Sequence, residues 1–494
     1  MTDSKASGLT RQMGLLSLSA TGICSMIGAS IYVVPFMIQR NVPGIGPFVL
    51  PAFLFAAIPA TLAAFAYIIL ASAMPRAGGS YIYASRAINP YIGFVASFSQ
   101  WFGLSIAIGV VSYVIVPFLR DICTFLQLSD LAALLETGFV RVSLALVILW
   151  TFVLINVRGI KLYERTLIPL MIMMFGLGAI VIVAGLLFNH QDFAAALLAK
   201  EGRTISSSLS HFNWSTFLAG ATLLFSSFIG FDSIAQAGGE AKNPAQLLPK
   251  AIGIAILTVT LFYISFTFSL YHTVPWQFVA QEAGGKDVTA PGLLSYVLPS
   301  GWAVFIVLGA TIALLNDLPA MILAVSRLMF AWAEDGIFPK KIAAIHQRYH
   351  TPHLAIYCSG LMATIGILGS HFAGDFFLGI DIMVTSMLVN YLLMCWSVVK
   401  LPKVNPAIAS RVAVFKNKLV QKTVAISGVV WLVSFLAIHI TKDLSAPVSD
   451  WYFHSTPVWL IVMLLASTIF WLYWKKLKRS GVNTKELFST LPSE

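Results

Sequence analysis

Gly22-Ile23-Cys24-Ser25-Met26-Ile27-Gly28-Ala29-Ser30 and Ser226-Ser227-Phe228-Ile229-Gly230-Phe231-Asp232-Ser233 are the two stretches that decide the fold. Each lies near the middle of a long apolar run and carries glycines and serines, which weaken a helix there. A helix interrupted at mid-membrane leaves backbone N–H and C=O groups without intrahelical partners. The N-terminus of the second half favours a carboxylate, and the freed carbonyls favour an ammonium or a cation. Together they suit the two ends of an amino acid. Gly and Ser also let helices pack closely without any break, so either stretch alone reads both ways. The pair is more specific. The two runs are five segments apart, and an odd offset makes them cross in opposite directions, as in an inverted repeat.

Outward from these stretches, apolar runs occupy residues 13–39, 46–71, 91–119, 140–157, 166–188, 215–237, 251–272, 302–333, 354–370, 376–399, 423–441 and 457–474. Each approaches the roughly 20 residues that a spanning helix needs, which gives about 12 helices. A backbone in lipid must satisfy its own hydrogen bonds, so the spans are helical, and the alternation of a barrel is absent. The composition agrees: 58% of the 494 residues are hydrophobic and 10% charged, against about 45–50% and about 25% in soluble domains. Such a chain has too few charges to cover a water-facing globule. The expected class is an all-α integral membrane protein whose surroundings are the lipid bilayer.

The net charge of +11 has its source in loop asymmetry and does not point to nucleic acid. With a cytoplasmic N-terminus, the inside segments hold 24 Lys and Arg residues and the outside segments 7, as the positive-inside rule requires. Both termini are therefore expected in the cytoplasm, which fits an even helix count and a multi-pass protein of the cell membrane. Residues 1–12 are polar, and the first apolar run exceeds a signal peptide's apolar core, so that helix is expected to be retained. The organisation expected is a cytoplasmic segment 1–12, a core over 13–399, a basic cytoplasmic loop 400–422, helices 11 and 12 within 423–474, and a tail 475–494. Cys24, Cys358 and Cys395 fall inside apolar runs, and with Cys123 they form neither a disulfide framework nor a zinc spacing.

Several motifs then join the two stretches. Ile27-Gly28-Ala29-Ser30-Ile31-Tyr32, Pro75-Arg76-Ala77-Gly78-Gly79-Ser80-Tyr81-Ile82-Tyr83, Asn156-Val157-Arg158-Gly159, Phe228-Ile229-Gly230-Phe231-Asp232 with Glu240-Ala241-Lys242-Asn243-Pro244, and Ser326-Arg327 with Asp335-Gly336-Ile337-Phe338-Pro339 and Thr351-Pro352 stand in this order. The set resembles the amino acid–polyamine–organocation transporter superfamily. That resemblance implies a LeuT-type fold, with helices 1–5 and 6–10 as inverted repeats and helices 11–12 peripheral. It implies alternating access around a site between helices 1, 3, 6 and 8. It places the substrate carboxylate near the N–H groups of Ile23, Cys24 and Ser25, and the amine near carbonyls of Ala20, Ser226 and Ile229. Gly230 lies at the second break, and Phe225 and Phe228 are its candidate aromatic gates. The sequence departs from the family pattern at Ser30, at Cys24 and at Ile69.

Ionisable side chains inside the membrane usually mark function, and Asp232, Asp317 and Asp381 lie in apolar runs. Asp232 follows the second break, as a proton or gating group or as a helix cap. Asp317 follows Asn316 in helix 8, on a face with Gly309, Ala313, Ala320 and Ala324, and so points into the bundle. No ionisable residue lies between Leu167 and Phe188 in helix 5. That leaves Na⁺, H⁺ or a positively charged substrate group as company for Asp317, with Na⁺ the one metal considered, or else a packing role paired with Asn316. Asp381 reads as interfacial. Arg327 and Glu240 read either as an inner-gate ion pair or as solvated end charges.

The function these features favour is a secondary transporter of an amino acid or related amine, a cation-coupled symporter or an exchanger. A polyamine or organic-cation carrier of the same fold is the alternative, and a non-transporting sensor ranks below it. No organic cofactor is called for. An enzyme is not expected: H-E-x-x-H, G-x-S-x-G and a P-loop are missing, and His346, His350 and His353 lack acidic partners at a metal-binding spacing. Cysteine-accessibility labelling tests the topology. Single cysteines at residues 10 and 482 should both react from the cytoplasmic side, and reaction from opposite sides would overturn the assignment.

Overall fold

The computed structural model describes residues 8–28, 30–205, 210–285, 288–373, 376–446 and 454–492. Ala29 of the first signature, Lys5 and Lys286 of the charge count and the outermost residues of both terminal segments lie outside these. Among the described residues, twelve helices are long and apolar enough to cross a membrane. They are helix 1 Leu15–Asn41, helix 2 Gly46–Ala73, helix 3 Pro90–Phe125, helix 4 Gly138–Val157, helix 5 Ile160–Leu187, helix 6 Trp214–Gln236, helix 7 Pro244–Thr273, helix 8 Gly301–Glu334, helix 9 His353–Phe372, helix 10 Gly379–Val404, helix 11 Lys418–Ser445 and helix 12 Ser455–Arg479.

Most of these helices outrun the apolar runs that mark them. Helix 7 starts at Pro244, where Pro fits a first helical position after Asn243, and helix 12 continues through Lys475, Lys476 and Lys478 to Arg479. Hydropathy marks only the lipid-facing length, whereas a helix continues into the interface, where long basic side chains reach water and favour its C-terminal end. The basic stretch 400–422 is accordingly the end of helix 10, the start of helix 11 and a short link between them.

Burial separates centre from rim. The apolar window of helix 1 is 94% buried and those of helices 6 and 8 are 89% buried, against 28% for helices 11 and 12. Helix 3 packs along helices 8, 9 and 10, the first half of helix 1 packs on helices 7 and 8, and helix 7 on helix 2. Two of the twelve helices are interrupted. Helix 1 consists of Leu15–Met26 and Ser30–Asn41. Helix 6 consists of Trp214–Leu224, a tighter turn Phe225–Phe228 and a last helical turn Ser233–Gln236.

The side of the bundle that carries the basic loops is closed by buried ion pairs. Arg327, in the second half of helix 8, bonds both carboxylate oxygens of Glu240, with Nε to Oε2 at 3.1 Å and Nη2 to Oε1. Both side chains are about 1% exposed, which decides against the solvated reading of these charges. The Glu240 carbonyl also accepts the N–H groups of Gln12 and Met13, each at 2.8 Å, so the chain entering helix 1 is fastened to the exit of helix 6. Arg86 makes a second pair with Asp335, at 2.5 and 3.0 Å. A buried arginine that loses its carboxylate partner is destabilising by about 3–5 kcal/mol. Glu240→Gln should therefore lower the unfolding temperature of the purified protein markedly, and Glu240→Gln/Arg327→Met should recover much of the loss. An unchanged unfolding temperature for the single variant would show the pair to be dispensable.

Candidate functional site

The two interruptions meet. Gly230 has φ +135°, a conformation that side chains disfavour. A Cβ added there would strike the Ser25 carbonyl and the Met26 nitrogen. The backbones of helices 1 and 6 thus touch where both are broken, and only glycine allows that approach. The breaks are stitched by the Ser25 and Ser233 hydroxyls, 2.9 Å apart, and by Tyr263 of helix 7, whose OH donates to the Met26 carbonyl at 2.5 Å. The latter bond occupies one of the carbonyls freed at the end of the first half-helix.

The break in helix 1 falls later than the motif match places it. Ala20, Ile23, Cys24 and Ser25 lie inside the helix Leu15–Met26, so the N–H groups expected to meet a carboxylate are within helical structure. Regular structure stops at Ile27, with φ −89° and ψ 81°, and Gly28 follows. Gly22 is a packing residue: a Cβ there would meet Ile234 and Ala255. The N–H groups that head a half-helix are therefore those from Ser30 onward, and the carbonyls left at the end of one are those from Cys24 to Met26, because Ile23 O still accepts Ile27 N at 2.8 Å. In helix 6 the break lies where expected, with Ile229 extended and Gly230 reversed. Ser226 O accepts Ile229 N at 3.2 Å, and Gly230 O accepts Ser233 N at 3.0 Å.

Phe225 and Phe228 are spent on packing in this conformation. Phe225 lies against Tyr391 and Phe435 of helices 10 and 11, and Phe228 against Phe53 and Tyr263 of helices 2 and 7. Asp232 makes no side-chain cap to the turn it precedes. Its carboxylate accepts from Tyr391 OH at 2.5 Å and from Gln100 Nε2 of helix 3. Around it, Gln236 Nε2 donates to Ser80 Oγ at 2.8 Å and to Gln100 Oε1 at 3.3 Å, and Asn390 Nδ2 donates to Tyr67 OH at 2.8 Å and to Gln100 Oε1 at 3.2 Å. The break in helix 6 is thereby held to helices 2, 3 and 10 by a buried polar network. Gln100, Asn390 and Tyr391 carry no formal charge, so a search for charged residues at depth passes over them; polar residues inside apolar runs are the signal that finds them.

Asp317 and Asn316 face different ways. Asn316 lies with its amide 2.8 Å from Cys24 Sγ. Oriented by its hydrogen bonds, it donates to the Leu167 carbonyl and accepts from Met171 N of helix 5, both at 3.2 Å. It ties helix 8 to helices 1 and 5, and it does not pair with Asp317. The Asp317 carboxylate projects over the break in helix 1 instead: a Cβ on Gly28 would lie 2.7 Å from Oδ2. The side chain is 7% exposed, and Oδ1 has no hydrogen-bond partner. Asp381 lies near the start of helix 10, at the end opposite Lys400 and Lys403.

A sequence model described as "Amino acid permease" matches residues 13–472, nearly the whole chain. The chain belongs to the amino acid permease family. The permease is 26% identical over 380 residues to the branched-chain amino acid permease BcaP of Bacillus subtilis, covering 73% of this chain and 75% of that protein. It is 27% identical over 384 residues to cationic amino acid transporter 4 of Mus musculus, covering 74% and 56%. With the low-affinity putrescine importer PlaP of Escherichia coli it shares 24% identity over 341 residues, 69% of each chain. The superfamily resemblance carried by the motifs is thus borne out, and the permease is a transporter of amino acids or amines, not an enzyme.

The crossing at Gly230 is the most sensitive point of this geometry. Gly230→Ala, and more so Gly230→Trp, should abolish uptake while folded permease still reaches the membrane, as read by size-exclusion chromatography and a proteoliposome assay. Near-normal uptake by Gly230→Trp would place the site elsewhere.

Proposed function

We propose that the permease carries an amino acid or related amine by alternating access, with substrate seated at the paired breaks and a cation held at Asp317. The freed N–H groups from Ser30 onward and at the turn after Gly230 would receive the substrate carboxylate, and the carbonyls of Cys24 and Ser25 at the end of the first half of helix 1 its ammonium. The observation that carries the cation is the unpartnered Oδ1 of Asp317. An ionised carboxylate left alone in a low-dielectric bundle is too costly to persist. It must hold a proton, a metal ion or a ligand's positive charge. Among the described residues, no three His, Cys, Asp or Glu side chains come together, so any metal here would be bound by one carboxylate and backbone carbonyls. That oxygen set suits a monovalent hard cation such as Na⁺ better than a transition metal.

The same charge bears on the substrate. Helices 1, 6 and 8 bring Asp317 and Asp232 to the breaks, while Arg327 is neutralised by Glu240. Acidic side chains without a basic counterpart at the breaks favour neutral and cationic ligands over acidic ones. The unpaired carboxylate also supports the second reading, a polyamine or organic-cation carrier, because a second ammonium on the ligand would take the cation's place. The excess of basic residues in alternate loops supports a cell-membrane location with both termini in the cytoplasm.

Asp317→Asn keeps the shape and removes the charge. Uptake into proteoliposomes at several pH values, with and without a sodium gradient, separates the cases. Loss of sodium dependence assigns Na⁺ to Asp317, and loss of the pH dependence of net uptake with exchange retained assigns H⁺. Selective weakening of lysine- and putrescine-like ligands assigns the substrate's own charge. A variant that matches the parent in affinity, sodium response and pH profile would overturn the role of Asp317.

A further inference from the structure

Residues 483–492, which follow helix 12, cross the closed basic side of the bundle in a specific way. Asn483 accepts the Glu486 N–H and starts a short helical turn, Thr484–Leu487. Phe488 is buried beside Trp474, with ring centres 5.7 Å apart, and lies under the Arg86 guanidinium at 5.1 Å. Three backbone carbonyls then accept from side chains of other elements. Asn405 Nδ2 donates to Ser489 O at 2.9 Å, Arg86 Nε to Thr490 O at 3.1 Å, and Arg76 Nε to Pro492 O at 2.8 Å.

The donors are informative. Asn405 follows helix 10, whereas Arg76 and Arg86 flank the segment that links helix 2 to helix 3. That segment is wedged into the closed side. Gly78 N donates to Gln236 O at 3.1 Å, at the end of helix 6, and Gly78 packs on Ala331 and the Arg327 carbonyl of helix 8. Arg86 uses its Nη atoms for Asp335, at the end of helix 8, and Tyr81 OH donates to the same carboxylate at 2.6 Å. One guanidinium therefore grips helix 8 through its terminal nitrogens and residues 488–492 through its Nε. The acceptors on the crossing segment are neutral carbonyls, so releasing it leaves the Arg86–Asp335 pair complete and costs no unpaired charge.

We propose that residues 488–492 act as a strap that keeps the basic side of the permease closed, and that this side opens only when the strap leaves Arg76 and Arg86. The strap fastens segment 76–87 to the end of helix 10, and segment 76–87 in turn covers the exit of helix 6. Movement of that exit away from helix 8 must strain the strap or release it. The inference rests on the alternating-access reading, because a strap regulates transport only if this side opens during the cycle.

The test is hydrogen–deuterium exchange of the full-length permease in nanodiscs, comparing the parent with Phe488→Ala and with a chain ended after Gly481, the second variant serving if the first does not accumulate. The expected result is an exchange rate about tenfold higher in 76–87 and 236–242, together with faster efflux of preloaded substrate from the basic side. Exchange in 76–87 and 236–242 that stays at the parent level while residues 484–492 are freed or absent would overturn the proposal. Counterflow of labelled solute by the parent protein decides the alternating-access reading separately, so the two failures are distinguishable.

Discussion

The backbone contact between Gly230 and Ser25–Met26 is the constraint on which the rest of the molecule depends. Two helices can approach this closely only where one presents no side chain, and a positive φ at that point obliges helix 6 to break. The break frees backbone groups that lipid cannot satisfy, so the surrounding helices must supply partners. Tyr263 serves the Met26 carbonyl, and Tyr391 places its OH 3.4 Å from Gly230 N while donating to Asp232. The polar residues of helices 3, 7 and 10 follow from that requirement. They give an otherwise apolar bundle a polar centre at fixed places, and Asp317 is the one carboxylate among the described residues that they leave with a buried oxygen unpartnered.

The two aspartates near the breaks consequently differ in kind. Asp232 is surrounded by donors and acts as an internal fastener between helices 3, 6 and 10. Asp317 faces a glycine and a broken helix, with one oxygen committed to nothing. In a low-dielectric interior the first arrangement is stable without a visitor, whereas the second calls for one. The Arg327–Glu240 pair on the basic side differs from both, because its charges neutralise each other within the protein.

Much of this was legible in the sequence because lipid imposes a length and a polarity on every span. The twelve helices, the break at Gly230 and the inward face of Asp317 all follow from apolar runs and helical spacing. The break in helix 1 was harder. Gly22 and Gly28 look alike in sequence, yet Gly22 accommodates Ile234 and Gly28 accommodates a carboxylate, and only the partner helix distinguishes packing from interruption. Phe225 and Phe228 next to a break suggest gates, but their direction depends on the tight turn Phe225–Phe228, which spacing alone does not specify. The network through Gln100, Asn390 and Tyr391 joins residues nearly three hundred positions apart, and no local signal reports such a pairing.

The most direct measurement is a cryo-electron microscopy map of the permease in nanodiscs, saturated with a solute that it is shown to transport in sodium-containing buffer. The expected map has substrate density between the end of the first half of helix 1 and the turn at Ile229–Gly230, and separate density, or the substrate's own ammonium, against the Asp317 carboxylate. Substrate density elsewhere, with the crossing at Gly230 unchanged and nothing against Asp317, would contradict the claim that the paired breaks form the transport site.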